Sequence, residues 1–183
     1  MGFLQKFNSR HIVKMIDFLP DAELLRTTGE IQKWPAILLE FVERGDMCQY
    51  WRISKRFSEA TCKTLFKQML KSIEHMHECG ITHRDIKLQN FIFDKHFVLK
   101  VADFGFSTYS EGPEGDGILR EGKGTSIYWA PEIHKRAHKG LDRDIFSAVI
   151  ILFLIYTGYP PFTNTLPQND KYKFLKDGNK ADC

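Results

Sequence analysis

The 183-residue chain predicts an α+β fold, and three stretches carry that reading. "HIVKMIDFL" (11–19) and "PAILLEFV" (35–42) are apolar and partly β-branched, with a polar segment around Thr28 and Gly29 between them, as in a strand hairpin. From Ser58 to Cys79, Leu65, Phe66, Met69, Leu70, Ile73 and Met76 recur at the spacing of a long amphipathic helix. Around 144–157 the residues become almost uniformly apolar, which predicts a helix buried on all sides.

The elements between these follow from local chemistry. Gly80 stops the long helix as a C-terminal glycine does. "FIFDKHFVLKVADFG" (91–105) reads as two short strands about a turn at Asp94 and Lys95. Residues 105–128 are rich in glycine and mixed charge and include Pro113, so an irregular loop is expected there. Loops of that length in compact domains are usually functional. "GYPPF" (158–162) then ends the apolar helix.

Composition narrows the partners. Hydrophobic residues at 43% and charged residues at 27% suit one packed globular domain. A net charge of +3 from scattered Lys and Arg leaves no footprint for nucleic acid. The longest apolar run, "AVIILFLIY", spans nine residues, half of what a membrane crossing needs, so no membrane partner is expected. Cys48, Cys62, Cys79 and Cys183 show no CxxC spacing, and "MGFLQKFNSRH" lacks a secretory apolar core. They read as free thiols in a reducing, cytoplasmic compartment.

"GITHRDIKLQNFIF" (80–93) crowds His83, Arg84, Asp85, Lys87 and Asn90 between a glycine and an apolar run. A solvated turn would explain the polarity but not the mixture of types. "ADFG" follows at 102–105 and "GTSIYWAPE" at 124–132. In that order and context the three motifs resemble the signature set of the eukaryotic protein kinases. Lys87 and Thr125 point to the serine/threonine type, and "ADFGFST" and "GYPPF" to its calcium/calmodulin-dependent or AMP-activated-like members.

The resemblance implies a protein kinase-like fold, with a mostly helical C-lobe and remnant N-lobe strands. Residues 1–45 would be the N-lobe remnant and hinge, and 46–183 a C-lobe incomplete at its C-terminus. It implies transfer of the ATP γ-phosphate to a Ser/Thr hydroxyl of a protein substrate, assisted by Mg2+. Asp85 would orient the attacking hydroxyl, Lys87 would reach the migrating phosphoryl, and Asn90 and Asp103 would hold the metal. Leu39 would be the gatekeeper, Glu40 to Val42 the hinge facing adenine, Asp46 a ribose contact, and Ile92 the floor under the purine. His83 would pack on Phe104 of the Asp103–Phe104–Gly105 turn, and Asp144 would brace the catalytic loop. Arg84 would anchor an anionic group on the activation segment. Where relatives carry a phosphorylatable threonine this chain has Glu121, a candidate stand-in for phosphate. Gln89 and Leu154 replace acids that select arginine upstream of the phosphosite, so strict selection of that kind is not expected. "HMHECGITH" (75–83) is not read as a zinc site, because residues two apart on a helix diverge.

The chain also departs from the pattern. No GxGxxG and no strand lysine precede "HIVKMIDF"; Leu4 and Met15 instead fall at hydrophobic-spine positions. The expected arginine partner of Glu132 is missing, Phe146 replaces a tryptophan, and Val149 replaces a glycine. The 183 residues therefore read as a fragment with little catalysis of its own. The alternative reading is a catalytically impaired, pseudokinase-like binding or scaffold module. Apolar strand surface left open invites a covering partner.

Overall fold

The computed structural model of the chain describes residues 4–135 and 137–177. Two strands come first, β1 (Met15–Leu25) and β2 (Ile31–Leu39), paired antiparallel with Leu25 opposite Ile31 and Met15 opposite Leu39. The register slips between Leu19 and Ala22, where Pro20 and Asp21 oppose Pro35. Proline has no N–H for a ladder bond, so both prolines sit where pairing is already broken.

The first strand starts later than the apolar pattern predicts. His11 to Val13 run beside β5 (Leu99–Val101) instead, with Val13 N–H on the Val101 carbonyl and Val101 N–H on the His11 carbonyl, both at 2.9 Å. Ile12 and Val13 are buried there. A run of β-branched residues signals extended backbone but not which neighbour it pairs with. The second strand stops at Leu39, so Glu40 to Val42 lie outside it.

Helix α1 (Met47–Ser54) is capped by Asp46, whose carboxylate accepts the Gln49 N–H at 3.0 Å. Helix α2 (Glu59–Glu78) is capped by Ser58, and Gly80, at φ +72°, closes it with an N–H on the His77 carbonyl at 2.9 Å. Its apolar stripe, Leu65, Met69, Ile73 and Met76, is buried, and the helix packs over β5, which pairs antiparallel with β4 (Phe91–Phe93). Between them β3 (Ile81–Thr82) pairs with β6 (Thr108–Tyr109), which gives the long loop its one strand.

Helix α3 (Gly140–Thr157) packs against α2, and α4 (Asp170–Asp177) is the last element. The expectation that the apolar helix is buried on all sides is not met. Ala148, Ile150, Ile151, Leu154 and Ile155 are buried, whereas Leu141, Ile145, Val149, Phe153 and Tyr156 are 37–53% exposed. The exposed residues recur every three or four positions, so they form one stripe that nothing among the described residues covers. Val149 lies on that stripe, away from the close packing its missing glycine put in doubt. No helix among the described residues is long and apolar enough to cross a membrane. Cys48, Cys62 and Cys79 are free thiols, and Cys183 lies outside the described residues.

Candidate active site

The loop from Ile81 to Asn90 is held from below by the N-terminal part of α3. Asp144, buried, accepts the His83 N–H at 2.8 Å and the Arg84 N–H at 3.0 Å, and His77 Nε2 lies 3.2 Å from it. Arg84 sits at φ +69°, a conformation an L residue adopts only when its surroundings impose it.

His83 is fully buried and bridges the two motif loops. Its Nδ1 accepts the Asp85 N–H at 3.2 Å and its Nε2–H donates to the Ala102 carbonyl at 3.1 Å, a pattern only the neutral ring satisfies. Burial pushes its pKa below the usual histidine value, with the nearby Asp144 carboxylate opposing. Its ring lies 5.1 Å from that of Phe104, tilted against it, and Phe7 continues the row 5.3 Å beyond.

Asp85, 4% exposed, is the centre of the site. Its Oδ2 meets Lys87 Nζ at 2.5 Å, and its Oδ1 accepts both the Thr125 N–H at 2.9 Å and the Thr125 hydroxyl at 3.0 Å. Asn90 donates its amide to the Asp85 carbonyl at 2.9 Å, which leaves the amide oxygen unspent on that contact. Desolvation alone would raise the Asp85 carboxyl, but hydrogen bonds from Lys87 and Thr125 outweigh it and hold the pKa below the ordinary aspartate value. Gly124, at φ +91°, makes the Thr125 contact feasible. A Cβ there would stand 2.4 Å from the Arg84 carbonyl oxygen and 3.1 Å from Asp85 Oδ1.

Asp103 is reached through one link: the Ala102 N–H donates to the Asn90 carbonyl at 2.8 Å. Its own backbone is left-handed at φ +60°, and its Oδ1 accepts the Gly105 N–H at 3.2 Å. It opens onto a cavity of about 520 Å3 that Leu4, Val13, Leu39 and Phe104 also line. Leu39 and Asp103 thus share one cavity, one side apolar and the other carrying a carboxylate, whereas Asn90 is not part of its lining. Ile92 pairs with Asp46 across an isolated bridge. Glu40 is tied to Lys100 Nζ at 2.7 Å and accepts the Lys14 N–H at 2.8 Å; Val42 is half-buried beside it in sequence.

Two regulatory candidates differ in how they are partnered. Glu121 Oε2 lies 3.8 Å from an Arg84 guanidinium nitrogen and 3.7 Å from Lys123 Nζ. Glu132 is half-buried and forms no ion pair among the described residues. One buried polar residue here belongs to none of the motifs. Arg143, 2% exposed, donates to the carbonyls of Arg84 at 2.7 Å and Lys123 at 2.6 Å. Its only sequence signal is a cation beside Asp144 in the turn that leads into the apolar helix.

The donor set fits a hard divalent cation with phosphate. An amide oxygen and an exposed carboxylate beside a cavity supply too few ligands for an all-protein cage, but enough for an ion that keeps water and phosphate oxygens.

Comparison with known proteins agrees with the motifs. The protein kinase domain family matches residues 1–181. From Oryza sativa subsp. japonica, CBL-interacting protein kinase 26 is 39% identical over 156 residues, and CBL-interacting protein kinase 30 is 33% identical over 163. These alignments cover 84% and 88% of this chain but 30% and 32% of the relatives. CBL-interacting serine/threonine-protein kinase 9 of Arabidopsis thaliana is 36% identical over 127 residues, covering 69% of this chain and 28% of its own length. The chain spans about a third of the length of the curated relatives it matches. It belongs to the protein kinase domain family, on the side of the serine/threonine kinases.

Proposed function

We propose that the chain carries the transfer step of a protein serine/threonine kinase, moving the ATP γ-phosphate to a protein hydroxyl. The observation that supports this best is the Asp85 carboxylate, kept ionised and aimed by Lys87 and Thr125. In this reading Asp85 accepts a hydrogen bond from the substrate hydroxyl and so fixes the line of attack on phosphorus. Lys87, which also lies 3.5 Å from the Thr125 hydroxyl, swings its ammonium toward the migrating phosphoryl. Asn90 and Asp103 hold Mg2+, which neutralises phosphate charge when bound. Leu39, Val42 and Ile92 enclose the purine, the backbone of Glu40 to Val42 meets its edge, and Asp46 faces the ribose. Residues up to 45 act as N-lobe and hinge, and those from 46 as C-lobe. From the relatives, whose names include CBL interaction, only the kinase chemistry is carried over.

The preferred protein substrate lacks a strict upstream arginine, because Gln89 and Leu154 offer no charge for one. The test is binding. Millimolar Mg·ATP should raise the melting temperature of the chain by mass action, and Asp103→Asn should abolish the rise. A melting temperature indifferent to Mg·ATP would overturn the proposal.

A further inference from the structure

Arg143 is a buried cation with an unusual set of partners. Its Nη2 donates to two backbone carbonyls, Arg84 at 2.7 Å and Lys123 at 2.6 Å, and its Nη1 lies 3.2 Å from His138 Nε2. No carboxylate comes within ion-pair distance of it among the described residues. Burial pushes its pKa down to about 10, which still leaves it charged at neutral pH. His138 must accept from it and is therefore neutral. Burial and the charges of Arg143 and Arg84 hold the His138 pKa down to about 4.

The two carbonyls come from the two segments that meet at the candidate catalytic carboxylate. Arg84 immediately precedes Asp85. Lys123 lies two residues before Thr125, whose N–H and hydroxyl both close on Asp85 Oδ1. Asp144, next in the chain, takes the Arg84 N–H while Arg143 takes its C=O. Two consecutive residues of α3 thus grip the same strained residue from both polar groups, and one of them reaches on to the activation segment. A planar guanidinium can span both carbonyls and the imidazole, whereas an ammonium is a single point donor.

We infer that Arg143 is a positioning residue: it fastens the activation segment to the catalytic loop so that Thr125 stays on Asp85, and so sets how a protein substrate docks. Only the last clause rests on the kinase reading.

Amide hydrogen exchange in the full chain tests the fastening without any need for activity. In Arg143→Met the Thr125 amide should exchange on the order of tenfold faster, the loss of roughly one charge-assisted hydrogen bond. Amides of Met69 and Ile73 in the middle of α2 should keep their rates, and Arg143→Lys should restore part of the Thr125 protection. Unchanged exchange at Thr125 would overturn the inference, as would equal acceleration at Thr125, Met69 and Ile73, the mark of plain destabilisation. If Arg143→Met does not fold, the same amides read in Arg143→Lys decide, with an intermediate Thr125 rate expected and a wild-type rate contrary. A Ser/Thr peptide should show a raised KM in the variant while the Mg·ATP-induced thermal shift stays as in wild type. Absence of that shift in the wild-type chain would count against the kinase reading and leave the exchange result standing.

Discussion

The β1–β2 hairpin and the loop around Asp85 are built on opposite terms. In the hairpin, Leu24, Leu25, Ile31, Trp34 and Leu38 are each about half exposed or more, and among the described residues the two strands pair only with each other. A two-stranded ribbon alone is marginal in water, so its register rests on its own ladder. Around Asp85 almost every polar group is spoken for, often twice: Asp144 accepts from two backbone N–H groups and faces a histidine, and Asp85 is held by three side chains. What separates them is that buried polar groups need partners of fixed direction, while apolar surface accepts any neighbour. The loop is over-determined and the hairpin under-determined.

The largest effect should follow from removing the brace. Asp144→Ala leaves the buried N–H groups of His83 and Arg84 without acceptors, at about 1–3 kcal/mol each. A loss of roughly 2–5 kcal/mol in urea unfolding is expected. A shift below about 0.5 kcal/mol, typical of surface changes, would mean the loop holds its shape without α3.

Acidity probes the same contrast with a smaller effect. His11, His83 and His138 all have folded pKa values below the ordinary 6.5, in each case chiefly through burial. Unfolding must let them take up protons below pH 6.5. Their contribution is therefore complete above that pH and declines as pH falls, for His138 down to about 4. Urea midpoints should be lower at pH 5 than at pH 7.5, and an NMR titration should find His138 neutral throughout that range. A folded-state midpoint above 6.5 would reverse the sign.

The same contrast explains what was legible in the sequence. Asp85, Lys87, Asn90 and Thr125 could be read because their chemistry demands given residue types at short, fixed spacings. Lys87, Asn90 and Thr125 each lie within hydrogen-bond reach of Asp85. The C-terminal end of α2 was equally readable from Gly80. Arg143 was not, because its partners are backbone carbonyls 59 and 20 residues away, and a carbonyl leaves no mark on residue identity. The exposed stripe of α3 was hidden for a related reason. Periodicity can be read only where polar residues interrupt it, and here both faces of the helix are apolar.

Glu121 offers a finer test of the loop. Its carboxylate is 64% exposed and 3.8 Å from the Arg84 guanidinium, so the pair lies at the weak end of ion pairs, within about 1 kcal/mol. Glu121→Ala should change global stability by less than that. It should raise trypsin cleavage after Arg120 and Lys123 by about two- to threefold, the rate equivalent of a few tenths of a kcal/mol. The increase should shrink in high salt, which screens an exposed pair. Equal cleavage in both forms would leave Glu121 a solvated side chain and remove its claim to act in place of phosphate.

The smallest effect is expected at the hairpin tip, and it sharpens the comparison most. Leu25 and Ile31 face each other in the register and are 74% and 64% exposed. Replacing both with serine removes little buried area, so unfolding should shift by no more than about 0.5 kcal/mol. Yet the hairpin edge and its open apolar residues are the kind of surface that pairs with other chains, so light scattering at high protein concentration should fall. The two readouts should therefore move independently, a near-constant midpoint beside a clear drop in association. Destabilisation comparable to that of Asp144→Ala would show that the tip is packed against something, and the contrast between an over-determined loop and an under-determined hairpin would fail.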